Sequence, residues 1–343
     1  MDLFSPLQLG SIQMKNRLLR SATGEGAAEV DVGCPTEDMV TLYDRIAVGG
    51  IGLIITGHVA VSREGRCTNK MTAFYSDDFL PAFRRMVAAS HAHGTPIVCQ
   101  LNHGGRQVNG EHAGIRPLCP SAVQIEGADR VPEVLSPADI ERLIEDYGNT
   151  AGRCKQAGFD GIQIHSAHGY LVSQFNSPLT NRRTDEWGGT PEKRRRFLAA
   201  VYESIRRNVG SDYPVLVKQN VSDFHPDGLT TDDAVAICRM LDDLGIDAIE
   251  LSGGIRETIP IAFREKELEE KGEVVFFEDE AKRIKPEVHC PLIVTGGIRT
   301  AATAQRLVAE GTCDGVGLCR AMLEEPDVPA KWEQRQALGD APE

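Results

Sequence analysis

Eight short apolar runs alternate with longer amphipathic segments along the 343 residues of this chain. The runs are rich in Val, Ile and Leu, as expected of parallel strands that are buried on both faces. They lie at residues 18–23, 53–57, 96–101, 161–166, 214–220, 248–253, 291–296 and 315–320. Eight such strand–helix units in a chain of this length predict an α/β fold, a single (β/α)8 barrel of the TIM type.

The segments between the runs have the apolar periodicity of helices that cover the outside of a barrel. They are predicted at residues 38–48, 78–93, 137–156, 191–209, 231–244, 278–284 and 301–309. A doubly wound sheet would more often carry a GxGxxG turn after its first strand, and the sequence has none there. We therefore expect one domain over residues 1–343, with a C-terminal tail from about residue 331.

Three connections, at residues 104–136, 169–190 and 254–277, are too long to be simple turns. Each follows the C-terminal end of a predicted strand, which is the face where barrels carry their active sites. The third connection contains a charged stretch at 264–271 and is predicted to form a short exposed helix or lid. The apolar positions before Leu18 predict a hairpin that plugs the opposite end of the barrel.

Composition excludes several classes of partner and points to a compartment. A formal net charge of −13 argues against nucleic-acid and anionic-membrane partners, both of which favour basic patches. The nine cysteines include no CxxC pair and their number is odd, which is typical of reduced cytosolic thiols. No signal peptide and no apolar stretch of about 20 residues is visible, so we expect a cytoplasmic protein that acts on a small molecule.

The residues near the ends of the predicted strands are unusually polar for a barrel interior. Thr23, Gln100, His165 and Lys218 lie there, and His168 and Tyr170 follow His165 within the sequence QIHSAHGYL. A buried lysine without a partner is costly, so Lys218 predicts an anionic group in the barrel mouth. Gln100 offers the donor and acceptor needed to recognise a ring with imide-like edges.

Residues after the seventh and eighth strands predict a phosphate site. Gly296 and Gly297 precede a helix that begins near Thr300, and Arg320 adds a cation from the next loop. Helix N-termini bind phosphate, and barrels commonly place such a site at this position, although the glycines alone would also fit tight turns. A phosphate site, an amide-recognising glutamine and a cation together suggest flavin mononucleotide (FMN).

At this point the chain resembles the old yellow enzyme family of FMN-dependent ene-reductase barrels. The resemblance spans nearly the whole chain and is most specific between residues 157 and 189, AGFDGIQIHSAHGYLVSQFNSPLTNRRTDEWGG. It also includes MKNRLLRSAT (14–23), GGIGLIITG (49–57), CQLNHGGR (99–106), VLVKQN (215–220) and VTGGIRT (294–300).

The resemblance implies a role for each matching position. Gln100 and Lys218 would meet the pyrimidine edge of a tightly bound FMN, and His165 and His168 would bind the carbonyl oxygen of the substrate. Tyr170 would donate a proton. The flavin would also contact Ser21, Ala22, Thr23, Gly24 and the backbone near His58, with its phosphate held by Gly296, Gly297, Cys319 and Arg320.

These roles fit the chemistry of adding hydride to an activated alkene. Negative charge develops on the carbonyl oxygen, and one prepositioned donor can stabilise it by about 3 kcal/mol. The neighbouring carbon then needs a proton, which a neutral phenol with a pKa of about 10 can supply. NADH or NADPH would be the reductant, and the family implies a homodimer or homotetramer.

Several positions depart from the family pattern. Gly24 stands where many relatives have Cys or Thr beside the flavin. Glu25 or Gly26 stands where many have an aromatic residue that touches substrate, so Glu25 and Gly26 are both expected to contact substrate, in a pocket that is roomier or more polar. Cys319 replaces the usual glycine, and Lys218 replaces the commoner arginine.

Three other functions are alternatives to the ene-reductase. An amine dehydrogenase of the same fold is disfavoured by the absence, up to Glu343, of the iron–sulfur motif that longer relatives append. A metal-dependent hydrolase would use His165, His168 and either His58 or His103 as zinc ligands, but it leaves Gln100 and Lys218 without a role. In a non-catalytic barrel the histidines would be satisfied core groups.

Overall fold

The computed structural model describes residues 1–109, 115–128, 130–271, 274–319 and 321–338. Eight parallel strands from these residues close into a barrel, in the order β4-β3-β13-β12-β11-β10-β9-β6, and pairing of β4 with β6 completes the ring. Their bounds are β3 Leu18–Arg20, β4 Leu53–Ile55, β6 Ile97–Asn102, β9 Gly161–Ser166, β10 Val215–Asn220, β11 Ala248–Ser252, β12 Leu292–Thr295 and β13 Gly315–Leu318. The predicted barrel is confirmed, and no strand end is shifted by more than three residues.

Of the described helices, seven agree closely with the predicted segments, one lies in the charged stretch at 264–271 where a short helix was expected, and four were not predicted. The described helices are α1 Glu37–Val48, α2 Leu80–His91, α3 Pro137–Ala157, α4 Leu171–Asn176, α5 Pro191–Val209, α6 Thr231–Asp243, α7 Ile259–Ala262, α8 Glu265–Lys271, α9 Glu278–Ile284, α10 Ala301–Ala309, α11 Ala321–Glu324 and α12 Val328–Leu338. Short 3-10 turns lie at Arg63–Gly65, Asp77–Phe79, Gly105–Gln107, Arg256–Thr258 and Lys285–Glu287. The Ser136 and Thr190 hydroxyls cap α3 and α5, and a proline follows each cap.

A hairpin of β1 Leu7–Leu9 and β2 Ile12–Met14 closes the amino end of the barrel. Its inward side chains pack against the first inward residue of several barrel strands, among them Leu19, Val98 and Ile293. The exposed residues between them, such as Gln8, point to solvent. The hairpin plug predicted from the sequence is therefore present.

Two short additional pairings and the final helix complete the described chain. Val59–Ala60 (β5) extends the sheet beside β6, and Leu118–Cys119 (β7) pairs with Glu133–Val134 (β8) within the first long connection, at residues 104–136. Residues 331–338, which we expected to form a tail, belong to α12, because Trp332 packs into the core. In the part of the chain that is described, no helix combines the length and the apolar character needed to cross a membrane.

Candidate active site

The carboxyl ends of the strands border a cavity of about 680 Å³. This volume is typical of sites that enclose a cofactor or another small molecule. Of the residues predicted to bind the flavin or its substrate, the following line it: Ala22, Thr23, His168, Lys218, Gly296, Gly297 and Cys319. Arg320, the other predicted phosphate ligand, lies outside the described residues.

Gly296 and Gly297 form a part of the cavity wall that has no room for side chains. Both have left-handed backbone angles, with φ of +96° and +78°. A β-carbon at Gly296 would lie 2.6 Å from a ring carbon of Phe276, and one at Gly297 would lie 1.7 Å from the Val274 carbonyl oxygen. Bare backbone just before helix α10 is the type of cradle that accepts a phosphate, so this end of the cavity fits the tail of FMN.

Lys218 lies on the cavity wall, but it is not the unpaired ammonium that its sequence context suggested. Its Nζ donates to Ser21 Oγ over 2.7 Å and lies 3.2 Å from the carboxylate of Glu250. Glu250 is completely buried. The protein therefore supplies the partner of Lys218 itself. Glu250 was not predicted as that partner because it lies inside an otherwise apolar strand.

Gln100 belongs to the same layer of polar side chains below the cavity. Its Nε2 donates to Gln163 Oε1 over 2.7 Å, and Gln163 Nε2 in turn donates to Glu250 Oε2 over 2.7 Å. Gln163 and Glu250 were not predicted as site residues. Their signal in the sequence is the inward position that each shares with Gln100 and Lys218 on paired strands.

The structure brings the predicted histidines and the tyrosine together. The ring centroids of His165 and His168 are 5.0 Å apart, and those of His165 and Tyr170 are 4.9 Å apart. His58, for which only a backbone contact was expected, adds its ring to the cluster at 5.2 Å from Tyr170. Four aromatic or imidazole rings thus meet at the barrel mouth.

Burial keeps this cluster uncharged at neutral pH. Desolvation lowers the pKa of His58 to about 4 and that of His168 to about 3, and Lys218 adds to both shifts. The pKa of His165 is also lowered, by burial first and then by His168, and burial raises the pKa of Tyr170 above its ordinary value. Neutral imidazoles and a neutral phenol can donate hydrogen bonds to a developing oxyanion without repelling one another.

Hydrogen bonds indicate which ring nitrogen carries each proton. The Ala167 N–H donates to His165 Nδ1 over 3.3 Å, and the Asn102 amide lies 3.0 Å from His58 Nδ1. If the Asn102 amide nitrogen donates, both neutral rings hold their proton on Nε2, which is then available to a ligand. Asn102 is buried at the end of β6 and is a further residue that sequence reasoning did not single out.

His168 is held in an unusual backbone conformation. Its φ is +62°, which few residues other than glycine adopt. The Gln107 side chain donates to its carbonyl oxygen over 2.6 Å, and its Nε2 lies 2.6 Å from Ser252 Oγ. If the Ser252 hydroxyl donates, the proton of His168 is on Nδ1. The surrounding contacts fix a strained residue, as often occurs at functional sites.

Glu25 has a different role from the substrate contact that we expected. Its carboxylate pairs with Arg20 at 3.2 Å, accepts from the Gly57 N–H at 2.8 Å and bonds to the Tyr43 hydroxyl, and its side chain is only 4% exposed. These bonds occupy the carboxylate and join the loops after β3 and β4. Glu25 is therefore corrected from a substrate-binding residue to a residue that fixes the loop before His58.

The two glycines that depart from the family pattern lie on either side of Glu25. A β-carbon at Gly24 would make an ordinary contact with His58, 3.6 Å from Nε2. Gly26 has a φ of +60°, and a β-carbon there would meet nothing within 4 Å. A β-carbon at either position would thus meet no collision, and the roomier pocket expected from the sequence stays a prediction.

A second cavity, of about 650 Å³, lies on the other side of Tyr170 and is rich in arginine. Arg106, Arg130 and Arg256 line it, with Glu126 as the acidic residue on its wall. Arg106 pairs with Glu257 at 2.9 Å. Within the described ranges, Arg130 and Arg256 form no ion pair. A chain with a strongly negative net charge therefore presents a locally positive cavity beside its predicted proton donor.

The arrangement does not support the zinc-site alternative. Across the described residues, no group of three histidines, cysteines or carboxylates is placed to hold a metal ion. His103, one of the candidate ligands, is buried and accepts the Gly105 N–H at its Nδ1 over 3.0 Å.

Comparison with known proteins agrees with the sequence resemblance. The model of the NADH:flavin oxidoreductase / NADH oxidase family matches residues 2–338. An NADPH dehydrogenase from Geobacillus sp. (strain WCH70) is 35% identical, over 95% of this chain and 92% of the relative. An NADH oxidase from Thermoanaerobacter brockii is 33% identical, over 97% of this chain and 51% of the relative. The chain thus spans about half the length of some curated relatives that it matches.

Solved structures show the same similarity in three dimensions. A 2-naphthoyl-CoA reductase in complex with 2-naphthoyl-CoA has a TM-score of 0.92 and 26% identity, over 99% of this chain and 52% of that one. An old yellow enzyme homologue from Zymomonas mobilis has a TM-score of 0.84 and 27% identity, over 98% of this chain and 93% of that one. Histamine dehydrogenase from Rhizobium sp. 4-9 has a TM-score of 0.86 and 27% identity, over 97% and 48%.

Proposed function

The chain belongs to the NADH:flavin oxidoreductase / NADH oxidase family, and from this premise we propose that it is an FMN-dependent NAD(P)H oxidoreductase that reduces activated C=C bonds. The observation that carries this proposal is the cluster of neutral His165, His168 and Tyr170 between two cavities. One cavity has the phosphate cradle and the buried cation, and the other has room for an acceptor.

The residues of the first cavity would hold FMN. Gly296, Gly297, Cys319 and Arg320 would bind its phosphate, and Gln100 and Lys218 its pyrimidine edge. The stretch Ser21, Ala22, Thr23 and Gly24, with the backbone at His58, would pass beside the ring. When bound, the flavin supplies the chemistry of taking hydride from NAD(P)H and giving it to an acceptor.

The residues of the cluster would act on the acceptor. His165 and His168 bind its carbonyl oxygen, and each N–H donor stabilises the negative charge that develops there by about 3 kcal/mol. Tyr170 gives its phenolic proton to the carbon next to the carbonyl group. Because burial keeps all three groups neutral, the same protonation state serves across the ordinary pH range.

The arginine-lined cavity supports an acceptor with an anionic group. Enoates carry a carboxylate, and enoyl thioesters of coenzyme A carry phosphates, which arginine binds well. A neutral enone gains nothing from Arg130 and Arg256, and a cationic amine would be repelled. We therefore favour an enoate or enoyl thioester over an enone as the acceptor, and disfavour the amine dehydrogenase that the histamine dehydrogenase structure brings into consideration.

The test is an anaerobic experiment in two halves. The purified protein should show flavin absorbance that NADH or NADPH bleaches, and an acceptor should restore it. Crotonate and crotonyl-CoA should reoxidise the reduced protein faster than cyclohexenone, and Arg256→Gln should remove most of that preference. Histamine or trimethylamine that bleaches the flavin would instead identify an amine dehydrogenase, and a protein that binds no FMN would contradict the proposal.

A further inference from the structure

The polar layer below the first cavity contains a buried ion pair whose acidic member, Glu250, has no role in the reaction described above. Glu250 is 0% exposed and Lys218 is 2% exposed. The Glu250 carboxylate receives a short hydrogen bond from Ser21 Oγ and a bond of 2.7 Å from Gln163 Nε2, besides its contact with Lys218. These partners lie on β9, on β10 and directly after β3, so the carboxylate is held by side chains from several parts of the barrel.

This carboxylate changes the charge that the cavity presents to its ligand. Lys218 and Arg299 are the described basic residues that line the cavity, and the charge of Lys218 alone would favour a ligand that gains negative charge. Glu250 lies 3.2 Å away and cancels much of that field. Interactions between charges in such a buried site are strong, because little water screens them.

Hydrogen bonding alone does not require a charged group at position 250. A glutamine has nearly the same shape, can accept from Gln163 with its one oxygen and donate its amide group to the second lone pair of Ser21 Oγ, and would avoid the desolvation cost of a buried carboxylate. Lys218 would then face the cavity as an uncompensated cation. The property that distinguishes glutamate from glutamine here is therefore its charge.

We propose that Glu250 is a positioning residue that lowers the reduction potential of the flavin by holding and partly neutralising Lys218. This inference rests on the proposed function. When NAD(P)H gives hydride to the flavin, two electrons and one proton are transferred and the ring gains one negative charge, while NAD(P)+ is released. A free Lys218 would stabilise that charge, and the paired Lys218 stabilises it less. A lower potential makes the reduced cofactor a stronger hydride donor to an alkene.

The experiment is a photometric titration of the flavin-loaded protein against a reference dye. Glu250→Gln should increase the ratio of reduced to oxidised flavin at a fixed potential by about tenfold, which corresponds to about +30 mV for a two-electron couple. Glu250→Asp, which keeps the charge but lengthens the distance to Lys218, should change the potential by about half as many millivolts. A Gln variant whose potential equals or falls below that of the parent protein would overturn the proposal.

A double variant separates the action through Lys218 from a direct effect of Glu250. In a Lys218→Met background the carboxylate has lost its cation. Glu250→Gln should then change the ratio of reduced to oxidised flavin at a fixed potential by less than twofold. The double variant removes both charges and so is suited to fold even where one unpaired charge prevents folding. A shift as large as that in the parent background would show that Glu250 does not act through Lys218.

The titration also separates this inference from the proposed function. If the parent protein binds no flavin, the proposed function fails and the role of Glu250 fails with it. If flavin binds and is reduced by NAD(P)H, but Glu250→Gln leaves the potential unchanged, only the role of Glu250 fails. Should Glu250→Gln not fold, Glu250→Asp still tests the direction of the effect. Lengthening the distance to Lys218 should increase the ratio of reduced to oxidised flavin at a fixed potential by about threefold, which corresponds to a rise of about 15 mV in the reduction potential.

Discussion

The two ends of the barrel are built from the same eight strands but have opposite character. At the amino end, the β1–β2 hairpin and the first inward residues of the strands form an apolar cluster that excludes water. At the carboxyl end, the inward residues are amides, a carboxylate, an ammonium and imidazoles, joined by hydrogen bonds. The same backbone thus supports a packed core at one end and a polar site at the other.

The amino end of the barrel stabilises the fold, and the carboxyl end carries the chemistry. Burying apolar side chains at the amino end stabilises the fold without placing any demand on geometry at the mouth. The polar end costs stability, since it buries a carboxylate, an ammonium and three imidazoles that all lose hydration. Substitutions at the two ends should therefore have different effects. Those at the amino end should change the free energy of unfolding, and those at the carboxyl end should change the reaction rates.

The largest effect is expected at the carboxyl end. Tyr170→Phe removes the proposed proton donor but keeps its packing, so reoxidation of the reduced flavin by an alkene should slow by about 10²- to 10⁴-fold. Reduction by NAD(P)H and the free energy of unfolding should change little. Stopped-flow measurement of both half-reactions checks this, and equal slowing of the two would contradict the role of Tyr170.

The next effect is expected at the amino end. Leu9 is completely buried in the hairpin plug, and Leu9→Ala should lower the free energy of unfolding by about 2–5 kcal/mol. The rates of both half-reactions should remain near those of the parent protein. Gln8→Ala, at an exposed position on the same strand, is the matched control for the urea titration. A large loss of reaction rate in Leu9→Ala would break the separation between the two ends.

Acid should weaken the carboxyl end in particular. His58 has a pKa of about 4 in the folded protein and near 6.5 when unfolded, so the unfolded chain binds more protons between these values. Stability therefore rises with pH through this window and falls as the pH drops, by about 2 kcal/mol for this imidazole between pH 6.5 and 5. Urea unfolding at several pH values should show a smaller acid loss for His58→Leu than for the parent protein, and equal losses would contradict burial of a neutral His58.

The smallest effect concerns ligand binding by the imidazoles. His165→Ala should weaken binding of a phenol such as 4-hydroxybenzaldehyde by about tenfold, the equivalent of one hydrogen bond of about 1.4 kcal/mol. His91→Ala, which removes an exposed imidazole from helix α2, is the control. Difference absorbance spectra of the flavin-loaded protein give the dissociation constants. Unchanged phenol affinity in His165→Ala would show that His165 does not bind the oxygen of the ligand.

Most of the fold could be predicted from the sequence, because strand periodicity and helix caps are local properties. Residues 161–166 and 191–209 were predicted with the bounds that the structure has. The cluster of His165, His168 and Tyr170 was also predictable, since all three lie within six residues around the end of one strand. The chain geometry alone forces such neighbours together.

Partners from distant strands could not be predicted in the same way. Glu250 meets Lys218 only because β10 and β11 are in a particular register, and Glu25 meets Arg20 and Gly57 only because two loops pack together. The sequence alone is equally compatible with a surface position for either carboxylate. Their burial decides their role, and burial depends on the closed barrel.

The cradle at Gly296 and Gly297 has a consequence for engineering. Its shape is set from outside the barrel strands, by the Val274 carbonyl group and the Phe276 ring that press against it. Phe276 also donates its N–H to the Gly296 carbonyl oxygen over 3.2 Å. A redesign to accept a bulkier cofactor tail would therefore have to rebuild the segment around Val274 first, and changing the glycines alone would only create collisions.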